Sequence, residues 1–283
     1  MLSARSLLFV PGNRPERFAK ALASSADLVC VDLEDAVPAA EKSYAREQLV
    51  QFLNQSRDSE LARIVVRVSA IKSEAGQADL AALKPARLPA MLMLAKTECA
   101  QDLTHAATAL GRTARWIPLV ESARGLLNIE HICASESLSA VMFGGGDFAA
   151  DLGARFAWEP LLWARSQIAV AAAAFGLPAI DVPHLDIADK EAVLAEAQRV
   201  AALGFSAKAA IHPAQIEAIH QGFMPSDEAL LEAQEIVRAF EVAEGGAVVV
   251  NGCMVDQPIV DSARNIITRA RCETTEAFEN EEN

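Results

Sequence analysis

An eight-stranded α/β barrel is the fold class that the sequence predicts, and three observations predict it. The chain has 283 residues, enough for one large core, and barrels of this class run to about 250 residues as a single domain. Eight short apolar runs alternate with longer amphipathic stretches. The runs are almost continuously hydrophobic, as strands of a parallel sheet covered on both faces are.

The strands are expected at Leu7–Val10, Leu28–Leu33, Ile64–Val68, Met91–Leu94, Trp116–Val120, Ala140–Phe143, Ala179–Asp181 and Ala207–Ile211. Helices are expected between them at Pro15–Leu22, Tyr44–Leu53, Cys99–Leu110, Leu126–Ile132, Leu161–Phe175 and Lys190–Leu203. Eight β-then-α units favour a closed sheet over an open one. Gly176-Leu-Pro178 and Gly204 suit helix stops ahead of the seventh and eighth strands. Beyond the eighth strand, Ala214–His220 and Asp227–Val242 read as helical. Gly245-Gly246 then breaks the pattern, Ala247–Val250 is a further apolar run, and a last helix reaches about Ala270. Glu273–Asn283 is acidic and expected to fray. The chain is therefore read as a (β/α)8 TIM barrel over residues 1–244 with a C-terminal extension over 245–283. No internal repeat or low-complexity linker calls for a second independent domain.

Composition narrows the function classes. The chain is 52% hydrophobic with a mean hydropathy of +0.19, which argues against disorder. Its net charge is −13 and no basic face is visible, so a nucleic-acid partner is not expected. No apolar run approaches the roughly 20 residues of a membrane span. The start, Met1–Val10, runs into Pro11-Gly12 and lacks the apolar region and cleavage site of a signal peptide. Cys30, Cys99, Cys133, Cys253 and Cys272 are far apart and form no C-x-x-C pair. The expectation is buried, reduced thiols in a cytoplasmic protein.

Barrel enzymes place their chemistry where strands end. The polar residues there are Asn13, Arg14, Asp32, Glu34, Asp35, Arg67, Lys96, Glu98, Glu121, Asp147, Asp181, Lys208 and His212. Glu121 and Asp147 follow adjacent strands and can converge on one hard cation. Magnesium takes few carboxylates and keeps waters that substrate oxygens can replace. The alternative is that Glu121 pairs with Arg124 and Asp147 caps the next helix. Gly144-Gly145-Gly146 has neither P-loop nor dinucleotide spacing. It suits close approach of backbone to a metal or ligand. Arg67 can clamp a carboxylate bidentately, or form a structural ion pair with Asp32 or Glu34. Pro15 suits a first helical position. Arg14, Arg17 and Lys20 around it make either a local anion site, such as a CoA phosphate needs, or a solvated first turn. The five histidines show no H-x-x-x-H spacing, and no Gly-x-Ser-x-Gly elbow is present.

Several ordered segments carry a resemblance to a known family. They are Ser6-Leu-Leu-Phe-Val-Pro-Gly-Asn-Arg-Pro-Glu-Arg17, Asp32-Leu-Glu-Asp-Ala-Val37, Arg67-Val68 and Leu94-Ala-Lys-Thr-Glu98. Further along come Glu121-Ser-Ala-Arg-Gly-Leu-Leu127, Gly146-Asp-Phe-Ala-Ala-Asp-Leu-Gly153, Lys208-Ala-Ala-Ile-His-Pro213 and Gly252-Cys-Met-Val-Asp-Gln-Pro258. With them the chain resembles, over nearly its whole length, the citrate lyase β-subunit-like acyl-CoA lyases, which include citryl-, malyl- and citramalyl-CoA lyases. The resemblance implies that Glu121 and Asp147 are magnesium ligands and that Arg67 holds the keto-acid carboxylate. It implies that Phe9, Arg14 and Lys20 contact CoA, and that Glu34 and Asp35 orient the metal's waters. Asp256 is implied as an acid/base residue on a C-terminal lid that reaches a neighbouring subunit of a homotrimer. The lid motif often reads Asp-Gly before its Met, where this chain has Asn251-Gly252. The N-terminal motif is closer to stand-alone members than to subunits of a complex, so the resemblance favours a free acyl-CoA over an acyl-carrier-protein partner.

The expected function is magnesium-dependent cleavage or condensation of a short 3-hydroxyacyl-CoA. Three alternatives stay open: a thioesterase of the same family, a metal-dependent 2-keto acid aldolase without CoA, and a non-catalytic regulatory subunit.

Overall fold

The apolar runs pair in chain order and close on themselves. The computed structural model describes residues 4–243 and 246–281, of which residues 269 and 271–281 by backbone alone. The strands are β1 (Ser6–Pro11), β2 (Leu28–Asp32), β3 (Ile64–Val68), β4 (Met91–Leu94), β5 (Trp116–Val120), β6 (Val141–Phe143), β7 (Ala179–Asp181) and β8 (Ala207–Ala210). They form a closed barrel in the order β1 to β8, and β8 returns to pair in parallel with β1. Every strand lies within one residue of its sequence expectation.

The helices of this unit are α1 (Phe18–Leu22), α2 (Lys42–Gln55), α3 (Asp58–Leu61), α4 (Glu74–Leu83), α5 (Ala100–Leu110) and α6 (Ala123–Leu127). They continue with α7 (Ile129–Cys133), α8 (Gly145–Leu152), α9 (Trp158–Ala174), α10 (Lys190–Ala202) and α11 (Ile216–Phe223). No helix is expected from the sequence at α3, α4 or α8. The single helix expected at Leu126–Ile132 is two short ones that meet at Asn128. Gly176 and Gly204 do end helices, with φ of 64° and 98°.

Two hydrophobic layers follow from the period-two alternation of a strand. Leu8, Val10, Val29, Val31, Val66 and Val68 face outward and pack on helix residues such as Leu49, Leu80 and Leu83. Their neighbours Leu7, Leu28, Cys30, Val65, Met91, Met93, Ile117, Leu119, Met142 and Ile180 pack on one another, with no helix residue among them. This second set fills the barrel. One step further along the same inward rows come Asp32 after Cys30, Arg67 after Val65, and Glu121 after Leu119. The alternation therefore delivers these three side chains to the mouth of the barrel.

The chain divides into two compact units, Met1–Phe223 and Met224–Asn283. The second begins earlier than the expected boundary after residue 244, because α12 (Asp227–Val242) packs within it. Residues 244 and 245 lie outside the described residues. This unit also holds the hairpin of β9 (Val248–Val250) and β10 (Cys253–Val255), then α13 (Gln257–Glu281). The last helix thus runs past Ala270 into the stretch expected to fray, as far as Glu281. Phe240, Val250, Val255 and Val260 form a small core. The hairpin turns on Asn251 (φ 49°) and Gly252 (φ 80°), the left-handed pair of a tight two-residue turn. Aspartate suits that turn as well as asparagine does, so the Asn251 departure is neutral for the backbone.

Cys30 and Cys133 are buried free thiols, Cys99 is half-buried, and Cys253 is exposed on the hairpin. The expectation of buried thiols therefore fails at Cys253. The Cys272 side chain lies outside the described residues. No helix of the described residues is long and apolar enough to cross a membrane.

Candidate active site

The mouth of the barrel collects carboxylates faster than it collects cations. Asp32, at the end of β2, accepts from Glu34 N at 2.8 Å and from Ala36 N at 3.0 Å. The same carboxylate takes the fork of Arg67, with Nε at 2.6 Å and Nη2 at 2.5 Å. Nη1 of Arg67 lies 3.2 Å from Glu34 Oε2, and its guanidinium sits over the Phe9 ring at 5.1 Å. The structural ion pair left open for Arg67 is thus formed, with both Asp32 and Glu34. Burial would lower the Arg67 pKa, but Asp32 and Glu34 outweigh it and hold the group charged.

Glu121, one residue past the end of β5 on the inward row, is 6% exposed. It accepts from the backbone N–H of Lys96 at 2.7 Å. Burial pushes its carboxyl up to about 8; the Lys96 N–H opposes this, and the charges of Glu34 and Asp147 add to it. Glu34 is likewise raised, by burial first and against the pull of Arg67. No pairing of Glu121 with Arg124 forms among the described residues. Gly144 explains how Glu121 fits. A Cβ on Gly144 would stand 2.4 Å from Glu121 Cβ and 2.6 Å from its Oε2. That glycine makes room for a side chain, whereas a Cβ on Gly146 would meet open space.

Asp147 lies in the first turn of α8 and is half-exposed. Lys96 spans the site from the loop after β4. Its Nζ is 3.2 Å from Glu34 Oε1, 3.3 Å from Asp147 Oδ2 and 3.9 Å from Asp35 Oδ1. Burial would lower its pKa, but Glu34, Asp35 and Asp147 together raise it. Arg67, Glu34, Asp35, Glu121, Asp147 and Phe9 are therefore brought together, with Asp32 as the ion-pair partner expected for Arg67 and Lys96 as a member with no role expected from its sequence.

Several other candidates within the barrel unit do not join them. Asp181 and Lys208 occupy outward positions, between the inward Ile180, Ala207 and Ala209. They form a fully buried pair at 2.9 Å against α9 and α10, joined by Arg165 at 2.8 Å and Glu196 at 3.1 Å. Glu98 pairs with Lys72. His212 is exposed and accepts from Ala214 N through Nδ1. Arg14, Arg17 and Lys20 are exposed and form no ion pair among the described residues. Asp256 belongs to the second compact unit, at the turn between β10 and α13, where its carbonyl accepts from Val260 N.

The donor set suits a hard divalent ion. The oxygens gathered here are those of carboxylates, and Glu121 is buried among like charges that a cation would neutralise. Among the described residues no three His, Cys, Asp or Glu side chains converge as a complete ligand group. Glu121 and Asp147 would leave most coordination positions to water and substrate, as magnesium prefers.

Known proteins share this arrangement of chain. Residues 5–213 match the model of the HpcH/HpaI aldolase/citrate lyase family. A relative named citramalyl-CoA lyase, mitochondrial, from Homo sapiens is 36% identical over 94% of this chain and 85% of its own. The L-malyl-CoA/beta-methylmalyl-CoA lyase of Cereibacter sphaeroides is 34% identical over 94% of each chain. The crystal structure of protein CitE from Mycobacterium tuberculosis, in complex with magnesium, acetoacetate and coenzyme A, superposes with a TM-score of 0.85 at 37% identity. It covers 95% of this chain and 98% of that one. By the extent of the family match and by relatives that align along almost all of it, this chain belongs to the HpcH/HpaI aldolase/citrate lyase family.

Proposed function

We propose that the chain is a magnesium-dependent carbon–carbon lyase that cleaves, or in reverse forms, a short 3-hydroxyacyl-CoA of the malyl, citramalyl or citryl type. The products of cleavage are an acyl-CoA and a 2-keto acid. The observation that carries this reading is the buried Glu121 carboxylate beside Asp147 and Arg67 at the barrel mouth. The relatives' names supply the substrate class, and the CitE complex supplies the metal and the coenzyme.

The chemistry that magnesium supplies, when held by Glu121 and Asp147, is Lewis-acid polarisation of the keto or hydroxyl oxygen. Arg67 binds the keto-acid carboxylate and so fixes which carbon faces the acyl group. Asp32 holds the guanidinium plane through Nε and Nη2, and Glu34 lies 3.2 Å from Nη1. Glu34 and Asp35 orient water around the site. Asp256 takes the hydroxyl proton as the carbon–carbon bond breaks. The electron pair of that bond passes to the carbon next to the thioester, which is then protonated. Phe9, Arg14 and Lys20 contact CoA; two of them are exposed cations in a chain of net charge −13. Asp256 acts from a C-terminal lid, over residues 245–283, on the site of an adjacent subunit in a cytoplasmic homotrimer.

The test is to incubate acetyl-CoA or propionyl-CoA with glyoxylate, pyruvate or oxaloacetate, with and without chelator, and to read products by mass spectrometry. A magnesium-dependent hydroxyacyl-CoA product is expected. Hydrolysis to free CoA alone would make the protein a thioesterase. Turnover of a keto acid without CoA binding would make it an aldolase. No turnover with any pair would favour a regulatory subunit.

A further inference from the structure

Lys96 has no part in the steps above, yet both its backbone and its side chain are constrained at the mouth. Its φ is 53°, in the left-handed region that a side chain with a Cβ disfavours. Such strain persists only where the surroundings over-determine it. Two sets of contacts do so here. The backbone N–H is turned onto Glu121 Oε1 at 2.7 Å. The ammonium reaches Glu34 and Asp147 at 3.2 and 3.3 Å, and Asp35 at 3.9 Å. One residue thus donates to one proposed metal ligand through its backbone and pairs with the other through its side chain.

We propose that Lys96 is a built-in counter-ion that competes with the divalent cation for Asp147 and so sets how tightly the site holds metal. The proposal rests on the metal reading of Glu121 and Asp147. A cation bound there and the Lys96 ammonium draw on the same carboxylate, that of Asp147, whose Oδ2 lies 3.3 Å from Lys96 Nζ. Both positive charges cannot sit on it at full strength, because like charges at close range repel. The ammonium must withdraw toward Glu34 and Asp35 when the cation binds. Its backbone N–H stays on Glu121, so that ligand remains oriented throughout. Lys96 is in this sense a positioning residue and not a catalytic one.

The test is direct magnesium titration by calorimetry at constant ionic strength, on the full chain, with melting temperatures measured in excess chelator and in excess magnesium. Lys96→Met deletes the ammonium and keeps the stem. Lys96→Gly deletes it and also relieves the backbone. Lys96→Arg retains the charge. Both neutral variants are expected to bind magnesium roughly fivefold tighter, a modest gain because the Lys96 side chain is 45% exposed and its charge is screened. Lys96→Arg should stay near the parent. In chelator Lys96→Met should melt below the parent, since its carboxylates lose their counter-ion, and magnesium should raise its melting temperature by more. Parent-like or weaker binding by Lys96→Met overturns the proposal. Tightening by Lys96→Gly alone also overturns it, because backbone strain would then be the cause. If Lys96→Met does not fold, Lys96→Gln makes the same neutral comparison. A parent that takes up no magnesium removes the metal reading itself, a result distinct from equal binding by parent and variants.

Discussion

Removing the Glu121 carboxylate is the most direct trial of the site at the level of single residues. Glu121→Ala should abolish turnover and leave the barrel folded, because the side chain ends the inward row and does not fill it. Excess chelator should do the same to the parent, reversibly on adding magnesium; full activity in chelator would dispose of the metal. Arg67→Lys keeps a charge but loses the fork held by Asp32. Losing such a charge-assisted contact costs about 1.5–3 kcal/mol, so kcat/KM for the keto acid should fall roughly tenfold to hundredfold. Affinity for CoA should hold; an equal loss of both would mark Arg67 as purely structural. Glu121, Asp147 and Arg67 were legible as single letters because each follows an apolar run. The need for Gly144 was legible only as a glycine cluster, since its cause is the approach of Glu121 from another strand. Nothing in a lysine's letter announces a left-handed backbone, so the role of Lys96 needed the structure.

Strand alternation decides which of the polar residues at strand ends reach the mouth. Position along the chain put Asp181 and Lys208 beside Glu121 as candidates. Their outward phase takes them instead into the layer between strands and helices, where Arg165 and Glu196 complete a buried network. Breaking such a pair leaves an uncompensated charge and costs about 3–5 kcal/mol. Lys208→Met should lie at the lower end, because Arg165 still serves Asp181. The denaturant midpoint should fall while kcat of the folded protein stays at the parent value; a selective loss of kcat would return Lys208 to the site. The strands were readable to within a residue because buried parallel strands leave unbroken apolar runs. Two helices were hidden for local reasons. α8 opens on Gly145-Gly146, which reads as loop, and its first turn carries Asp147. α4 depends on Ser73 accepting from Gly76 N at 3.0 Å, a cap followed by another glycine.

Across the whole molecule, the proposed assembly makes a quantitative demand. Inactive Glu121→Ala and inactive Asp256→Ala chains should be co-refolded and assayed as mixed oligomers. If barrel and lid come from different subunits, about a quarter of the sites in a random equal mixture should be intact. If each lid serves its own barrel, every site carries one lesion and no activity returns. A chain that is monomeric at working concentration would end the shared-site reading outright. The residue pattern gave the barrel, but a symmetric partner leaves no periodicity in one chain's sequence, so the trimer rests on resemblance. The outer side of α9 offers an optical way to follow assembly. Trp116 is 3% exposed, and the Trp158 ring lies 4.7 Å from the Arg165 guanidinium and 3.8 Å from that of Arg199. Trp163 is 60% exposed. Its indole should therefore dominate the long-wavelength edge of the fluorescence and be the one that iodide quenches. A shift of that edge to shorter wavelength on raising protein concentration would mean that α9 is being covered, and a constant spectrum would place the contact elsewhere.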